Sequence, residues 1–232
     1  MDTQLPKLPV LSYSALNAYQ VCPRRFHHMY VLKDLHAEEK SKEQLEGTAV
    51  HEALKRRVRL DEPLPEAYAH YEHLAAEIFN APHVKYTELK LGMDADGRPC
   101  DFFDKKVWLR GALDLVLSEP GSSVSTRAAL LLDWKAGKVR EDPFELEIQA
   151  LLLKAKWPEL ERITGHFVWL REGRLGARHD CSDTVKTFGV VLRTEQQMRR
   201  RLAANDWPPD EGPLCGYCPV TKGMCEFKRE RK

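Results

Sequence analysis

The chain has no long apolar run. Nowhere do the roughly 18 consecutive apolar residues of a membrane-spanning helix occur, so no membrane anchor of that kind is expected. Net charge is also nearly absent: 36 basic and 35 acidic side chains leave a formal charge of +1. No global field therefore recruits nucleic acid, and any such binding must come from local basic patches. The opening residues, MDTQLPKLPV, lack the basic-then-apolar pattern of a secretory leader. The expected location is the cytoplasm. No G-x-x-x-x-G-K-[ST] loop occurs, so any unwinding would come from a partner. There is no repeat, no low-complexity tract, no zinc finger and no recognition helix, which leaves sequence-specific duplex reading without a basis. What remains is an ordinary globular composition over 232 residues, enough for one sizeable core with helical additions.

Periodicity orders the chain as helices, three strands, a helix, two strands, a helix and a cysteine tail. Residues 1–11 read as a lead-in. Ser14 is expected to cap a helix running to about Val31, broken by Pro23 into two short ones. Charged residues 33–42 read as a loop. Helices are expected from about Lys42 to Leu60 and from about Pro65 to Asn80. The period then changes. Lys85–Met93, Val107–Leu117 and Ala129–Lys135 read as strands, with D-A-D-G-R-P a turn and E-P-G-S-S-V-S-T-R a loop. A helix from Pro143 to about Trp157 can cross over to further strands at Ile163–Arg171 and Thr184–Leu192. Thr194 then caps a helix to about Ala204, ahead of a Pro- and Cys-rich tail ending F-K-R-E-R-K.

Two of these strands, G-A-L-D-L-V-L and L-L-L-D-W-K-A-G-K, each carry a carboxylate inside an apolar run: Asp114 and, 19 residues on, Asp133. Burying an unpaired charge costs on the order of several kcal/mol, so a cation or a reaction should compensate them. Two close carboxylates suit magnesium or manganese. Lys135, two residues after Asp133, falls on the same strand face, where it can orient or activate water or steady a phosphate. The set suits metal-assisted phosphodiester hydrolysis. His51, in G-T-A-V-H, and Glu88, in Y-T-E-L-K-L, are further candidates. A histidine on a helix is more often a satisfied structural residue or merely exposed, and a solvent-facing strand glutamate explains Glu88 equally simply.

Cys215, Cys218 and Cys225 form C-x2-C-x6-C, three soft ligands in eleven residues. A closed four-thiolate site needs one more, and Cys22, Cys100 and Cys181 all qualify on the residues alone. Arg24–Arg25, Arg56–Arg57, Arg59 and Arg199–Arg201 form basic runs that can hold phosphates. Tyr13, Tyr19, Phe26 and Tyr30 can stack on bases or serve as core.

Taken together, R-G-A-L-D-L-V-L, L-L-L-D-W-K-A-G-K, G-T-A-V-H-E-A-L and a later helix carrying Gln149 resemble the PD-(D/E)XK nuclease superfamily in its RecB-like branch. The resemblance implies His51, Asp114, Asp133 and the Trp134 carbonyl as metal ligands, with Lys135 at the water and Gln149 arranging the site or the DNA. That branch often has a tyrosine four residues after the glutamine, where this chain has Leu153. AddB-type and CRISPR-associated members with an iron–sulfur cluster carry one cysteine before the core, in a C-P-x-x-F setting like Cys22–Phe26, and three after it. By that likeness Cys22, Cys215, Cys218 and Cys225 would hold a 4Fe–4S cluster, with zinc the alternative.

The expectation is a single α/β nuclease domain built on a mixed central sheet. Residues 1–82 would form an N-terminal helical part, 83–204 the core and 205–232 a tail tied back by the cluster. The expected activity is Mg/Mn-dependent DNA cleavage, as an exonuclease on single strands or ends in recombination, repair, phage replication or CRISPR spacer processing, with a helicase or adaptation protein as possible partner. A non-cutting DNA-end-binding subunit and an iron–sulfur redox protein are the competing classes.

Overall fold

A computed structural model describes residues 7–35, 42–118 and 127–229. The first six residues of the lead-in, most of the charged 33–42 loop, nearly all of the E-P-G-S-S-V-S-T-R loop and the last three residues of the basic tail lie outside these. The chain forms two contact-dense units, residues 1–38 with 188–232, and residues 39–187. The two helices nearest the first strand fall in the same unit as the sheet, and the earlier ones fall with the C-terminal residues.

In the first unit, α1 (Tyr13–Val21) starts at Ser12, whose extended backbone and side chain cap it by accepting from the Ala15 amide at 3.3 Å. The cap is thus Ser12, not Ser14, because Ser14 is already within the helix. Cys22 is extended, and Pro23 opens α2 (Pro23–Phe26), where a missing N–H costs nothing. A wider helical turn, His27–Leu32, follows. Tyr19, Phe26, Tyr30 and Trp207 pack ring against ring with centroids 5.6–5.8 Å apart around the buried Phe26. Tyr19 and Phe26 are therefore core side chains, and Tyr30 is half-buried against them. Arg24 donates to the Trp207 carbonyl and pairs with Glu226, and Arg201 donates to the Tyr19 hydroxyl.

The second unit begins with α3 (Lys42–Leu60), a 3-10 turn Glu66–Tyr71 and α4 (Glu72–Asn80). Its sheet comprises β1 (Val84–Met93), β2 (Pro99–Cys100), β3 (Leu109–Ser118), β4 (Ala128–Lys135), β5 (Arg162–Trp169), β6 (Arg174–Leu175) and β7 (His179–Asp180). The order is β2-β1-β3-β4-β5-β6, with β7 also on β5. β1, β3 and β4 form an antiparallel meander, and α5 (Pro143–Lys156) returns the chain to a β5 parallel to β4. This is the expected mixed α/β sheet with flanking helices. One face buries Leu115, Leu117, Leu132 and Trp134 against Val50, Leu54 and Val58 of α3 and Leu74, Ala75 and Ile78 of α4. The other takes α5, whose Leu146, Ile148, Leu152 and Leu153 are buried.

One expected strand is helix. Thr184–Leu192 is the first half of α6 (Thr184–Ala204), and Thr194 lies in its interior, bonding back to the Val190 carbonyl. The β-branched residues of T-V-K-T-F-G-V-V-L favour a strand. The buried positions Thr184, Thr187, Val191, Thr194, Glu195 and Met198 recur at three and four residues, and that helical burial prevails. Asp183 Oδ1 caps the helix at the Lys186 amide, 3.0 Å away.

Leu54, fully buried between α3 and the sheet, should be costly to truncate. Leu54→Ala is expected to destabilise the protein by about 2–5 kcal/mol in urea unfolding. A loss under about 1 kcal/mol would contradict the packing of α3 on this face.

Candidate active site

The ladder between β3 and β4 runs from Ser118–Ala129 to Leu115–Leu132 and then stops. The next residues on the two strands are Asp114 and Asp133. Beyond the split, the Trp134 amide donates to Asp114 Oδ2 at 2.9 Å, so a side chain takes the place of a ladder carbonyl. The Trp134 ring anchors this point in the core.

The β1–β3 pairing changes character at the same level. Thr87 pairs with Leu115 and Leu89 with Leu113, but Glu88, between them and opposite Asp114, has a left-handed φ of 51°. Non-glycine residues rarely adopt this within a strand, and it costs on the order of 1–3 kcal/mol. Its consequence is visible in the side-chain alternation. Leu115 belongs to the core under α3 and α4, whereas a Cβ on Gly111 would meet Leu152 of α5. The odd-numbered positions change face between Gly111 and Leu115. Asp114 thereby joins the α3 side of the sheet together with Leu115.

His51 of α3 completes a cluster there. Its Nδ1 is 3.6 Å from Asp114 Oδ2, and one ligand atom from each of His51, Glu88 and Asp114 lies within 4.8 Å of the others. Burial pushes the Glu88 carboxyl up, and the like charge of Asp114 adds to this. Burial disfavours a charged His51, but Asp114, with Asp133 and Glu88 behind it, outweighs burial and raises the imidazole. Two carboxyl groups and an imidazole gathered this closely are a fitting donor set for a divalent cation.

Asp133, Lys135 and Gln149 form a second cluster, against α5. Asp133 is 5% exposed, and Gln149 Nε2 donates to its Oδ1 at 2.7 Å. Lys135 Nζ stands 2.7 Å from Asp133 Oδ2 and 2.8 Å from Glu145 Oε2. The first contact is an ion pair off the hydrogen-bond direction, so Oδ2 is buried without an aligned donor. Burial raises the Asp133 carboxyl, and Asp114 raises it further against the pull of Lys135. Asp133 and Glu145 hold the lysine well above its ordinary value despite its burial. Asp133 is therefore within electrostatic reach of Asp114 but outside the tight three-residue set, in which Glu88 stands instead. Glu145 was not anticipated. Its only signal was an acid in the first turn of a helix opened by Asp142 and Pro143.

Cys22, Cys215, Cys218 and Cys225 all line one cavity of about 260 Å³ in the first unit, with Arg25 and Lys228 at its wall. The Asp210 amide points at Cys22 Sγ and the Gly212 amide at Cys215 Sγ, both at 3.4 Å. Among the described residues, no three of these sulfurs come within 4.8 Å of one another. Cys100 and Cys181 lie elsewhere, and burial pushes the Cys181 thiol up to about 12.

Against known proteins, a family model matches part of the chain. Residues 10–91 match the PD-(D/E)XK nuclease superfamily. The matched stretch carries Cys22, His51 and Glu88 and ends before Asp114. Among solved structures, one described as the crystal structure of SSO0001 aligns over 98% of this chain and 90% of its own, at 12% identity and a TM-score of 0.43. No curated protein matches the sequence.

The pKa directions fix the sign of a pH effect. Groups with raised values contribute stability below their unfolded values, and the apo protein loses it as pH rises: for Glu88 above the ordinary carboxylate range, for His51 above the ordinary imidazole range. A bound divalent ion displaces those protons. Manganese is expected to raise the unfolding temperature little near pH 6 and clearly near pH 8, by about 2–3 kcal/mol of stability at a hundredfold excess over its dissociation constant. Differential scanning fluorimetry of wild type and His51→Ala would check this. A manganese effect of equal size at both pH values, or retained in the variant, would contradict the site.

Proposed function

We propose that this protein is a divalent-metal-dependent nuclease that hydrolyses phosphodiester bonds in DNA. The observation that carries the reading is the meeting of His51, Glu88 and Asp114 where β3 and β4 part, with Asp133 and Lys135 on the adjoining strand. The superfamily match over residues 10–91 supports the same chemistry.

His51, Asp114 and Asp133, with the Trp134 carbonyl, would hold magnesium or manganese, and Glu88 is placed to join them. The ion supplies a more acidic water and a counter-charge for the phosphate. Lys135 stays protonated between Asp133 and Glu145, so in this arrangement it donates hydrogen bonds and positive charge rather than accepting a proton. Its role is to orient the water or to steady charge on the phosphate oxygens. Gln149 positions the Asp133 carboxylate. We further infer exonuclease action on single strands or ends, in the service of a helicase, recombination or adaptation partner, with the entire chain acting as one nuclease domain.

Cys22, Cys215, Cys218 and Cys225 would hold a 4Fe–4S cluster that ties the first helices to the tail. The shared cavity supports this, as do the amides directed at two sulfurs. Zinc, which takes the same four thiolates, is the alternative occupant.

End-labelled single- and double-stranded DNA, incubated with manganese, magnesium or chelator, tests the activity. Asp114→Ala is expected to lower cleavage by at least about a hundredfold, in line with loss of a group that stabilises transition-state charge, while the fold is kept. Full activity in that variant would sink the metal assignment. Cys218→Ala is expected to bleach anaerobically purified brown protein and lower its stability. Unchanged colour and stability would sink the cluster.

A further inference from the structure

The β1–β3 ribbon carries more than the acids. From Asp114 toward the start of β3, Ala112 and Arg110 lie on the same face, while Leu113, Gly111 and Leu109 turn to the opposite one. On β1, Lys90 pairs with Ala112 and Gly92 with Arg110, so both share the Asp114 face. Arg110 is four residues from Asp114, about 13 Å along the strand, and Lys90 sits about halfway.

At the far end the segment after β2 folds onto this face. A Cβ on Gly92 would stand 3.0 Å from the Asp101 carbonyl and from Val107, so the segment packs closely on the bare glycine and a side chain there would push it outward. The segment is a locked turn: the Asp104 amide donates to the Asp101 carbonyl, the Val107 amide to the Asp104 carbonyl, and the Lys106 amide to Asp104 Oδ1. It presents Phe102 and Phe103, ring against ring at 4.9 Å. Arg110 donates to the Phe102 carbonyl, and its guanidinium lies 4.8 Å from the Phe102 ring centre and 5.6 Å from that of Phe103. Lys90 approaches Phe102 at 6.0 Å. Phe103 is 76% exposed. The nearby acids are Asp94, Asp101 and Asp104, of which Asp94 accepts from the Asp96 and Arg98 amides and Asp104 from the Lys106 amide. Lys105 and Lys106 extend the positive charge.

The arginine runs make a useful contrast. Arg24, Arg56, Arg57 and Arg199 are paired with Glu226, Glu62, Glu72 and Glu195. Lys90 and Arg110 lie against rings instead, beside an exposed aromatic on a rigid turn. Hydrophobic burial does not explain Phe103. Cations in line with an exposed ring are the means by which proteins hold an unpaired strand, phosphates on the cations and a base on the ring.

We propose that this face, from Asp114 past Lys90 and Arg110 to Phe102 and Phe103, is a track for a single unpaired DNA strand, with a base stacked on Phe103. That the track leads to a cut site rests on the nuclease reading; that it binds a strand does not.

The test is fluorescence anisotropy of a labelled oligodeoxynucleotide in chelator, where no cutting occurs, on full-length wild type and variants. Phe103→Ala is expected to weaken single-strand binding about tenfold, Phe103→Trp to restore it, and Lys90→Ala to reduce the salt slope by about one. Blunt duplex binding should not respond to Phe103→Ala. Equal affinity of wild type and Phe103→Ala for the single strand, no binding by wild type, or an equal loss on duplex would overturn the track. Phe103→Tyr, which keeps the ring, guards against misfolding of the alanine variant: it should bind as wild type does, and a tenfold loss there would also count against stacking. Cleavage with manganese is read separately. A loss of binding in Phe103→Ala with no cleavage by wild type keeps the track and removes the nuclease. Cleavage with unchanged binding does the reverse.

Discussion

Like charges brought together in a half-buried place have to be answered by something. Glu88, Asp114 and Asp133 gather where two strands separate, and burial and mutual repulsion raise the Glu88 and Asp133 carboxyls. The protein meets part of this itself. Lys135 answers Asp133 and Glu145, Gln149 satisfies one oxygen of Asp133, and the Trp134 amide satisfies Asp114. The rest, the carboxylates around His51, is met more weakly: Lys55 draws the Glu88 carboxyl down but is itself paired with Glu52, and burial with the like charge of Asp114 prevails. A divalent ion is the simplest answer to that remainder, and the nuclease reading follows from it.

The fold is arranged to create this crowding. Ending the β3–β4 ladder at Leu115–Leu132 frees Asp114 and Asp133 from pairing with each other. The left-handed Glu88 coincides with the change of face of the neighbouring side chains, so that Asp114 stands under α3, where His51 waits. Strain at one residue on the order of 1–3 kcal/mol is tolerable because a thirteen-residue core cluster under α3 and α4 holds the elements on either side. The same switch sets the face on which Lys90 and Arg110 emerge.

Much of this was legible in the residues. Alternation gave β1, β3 and β4 to within two residues, and a charge inside an apolar strand singled out Asp114, Asp133 and Lys135. Other parts were not legible for physical reasons. Glu88 reads as an ordinary strand acid until its φ is known, and no local signal requires a left-handed residue there. Glu145 matters only because α5 packs back over β4, a contact across ten positions of sequence. The first half of α6 is rich in β-branched residues, and only its buried positions at three- and four-residue spacing reveal a helix. Strands of two residues such as β6 and β7 are too short for any period. Three cysteines were marked by spacing. For the fourth, Cys22 was the best candidate but a weak one on the residues alone, with Cys100 and Cys181 also available, and Cys22 lines the same cavity as the other three.

The most direct test of the central claim is anomalous scattering from crystals soaked in manganese. The account predicts a peak within bonding distance of His51, Glu88 and Asp114, and its loss in Asp114→Ala. A structure at full manganese with no peak between these three residues, or with the peak unmoved in the variant, would contradict it.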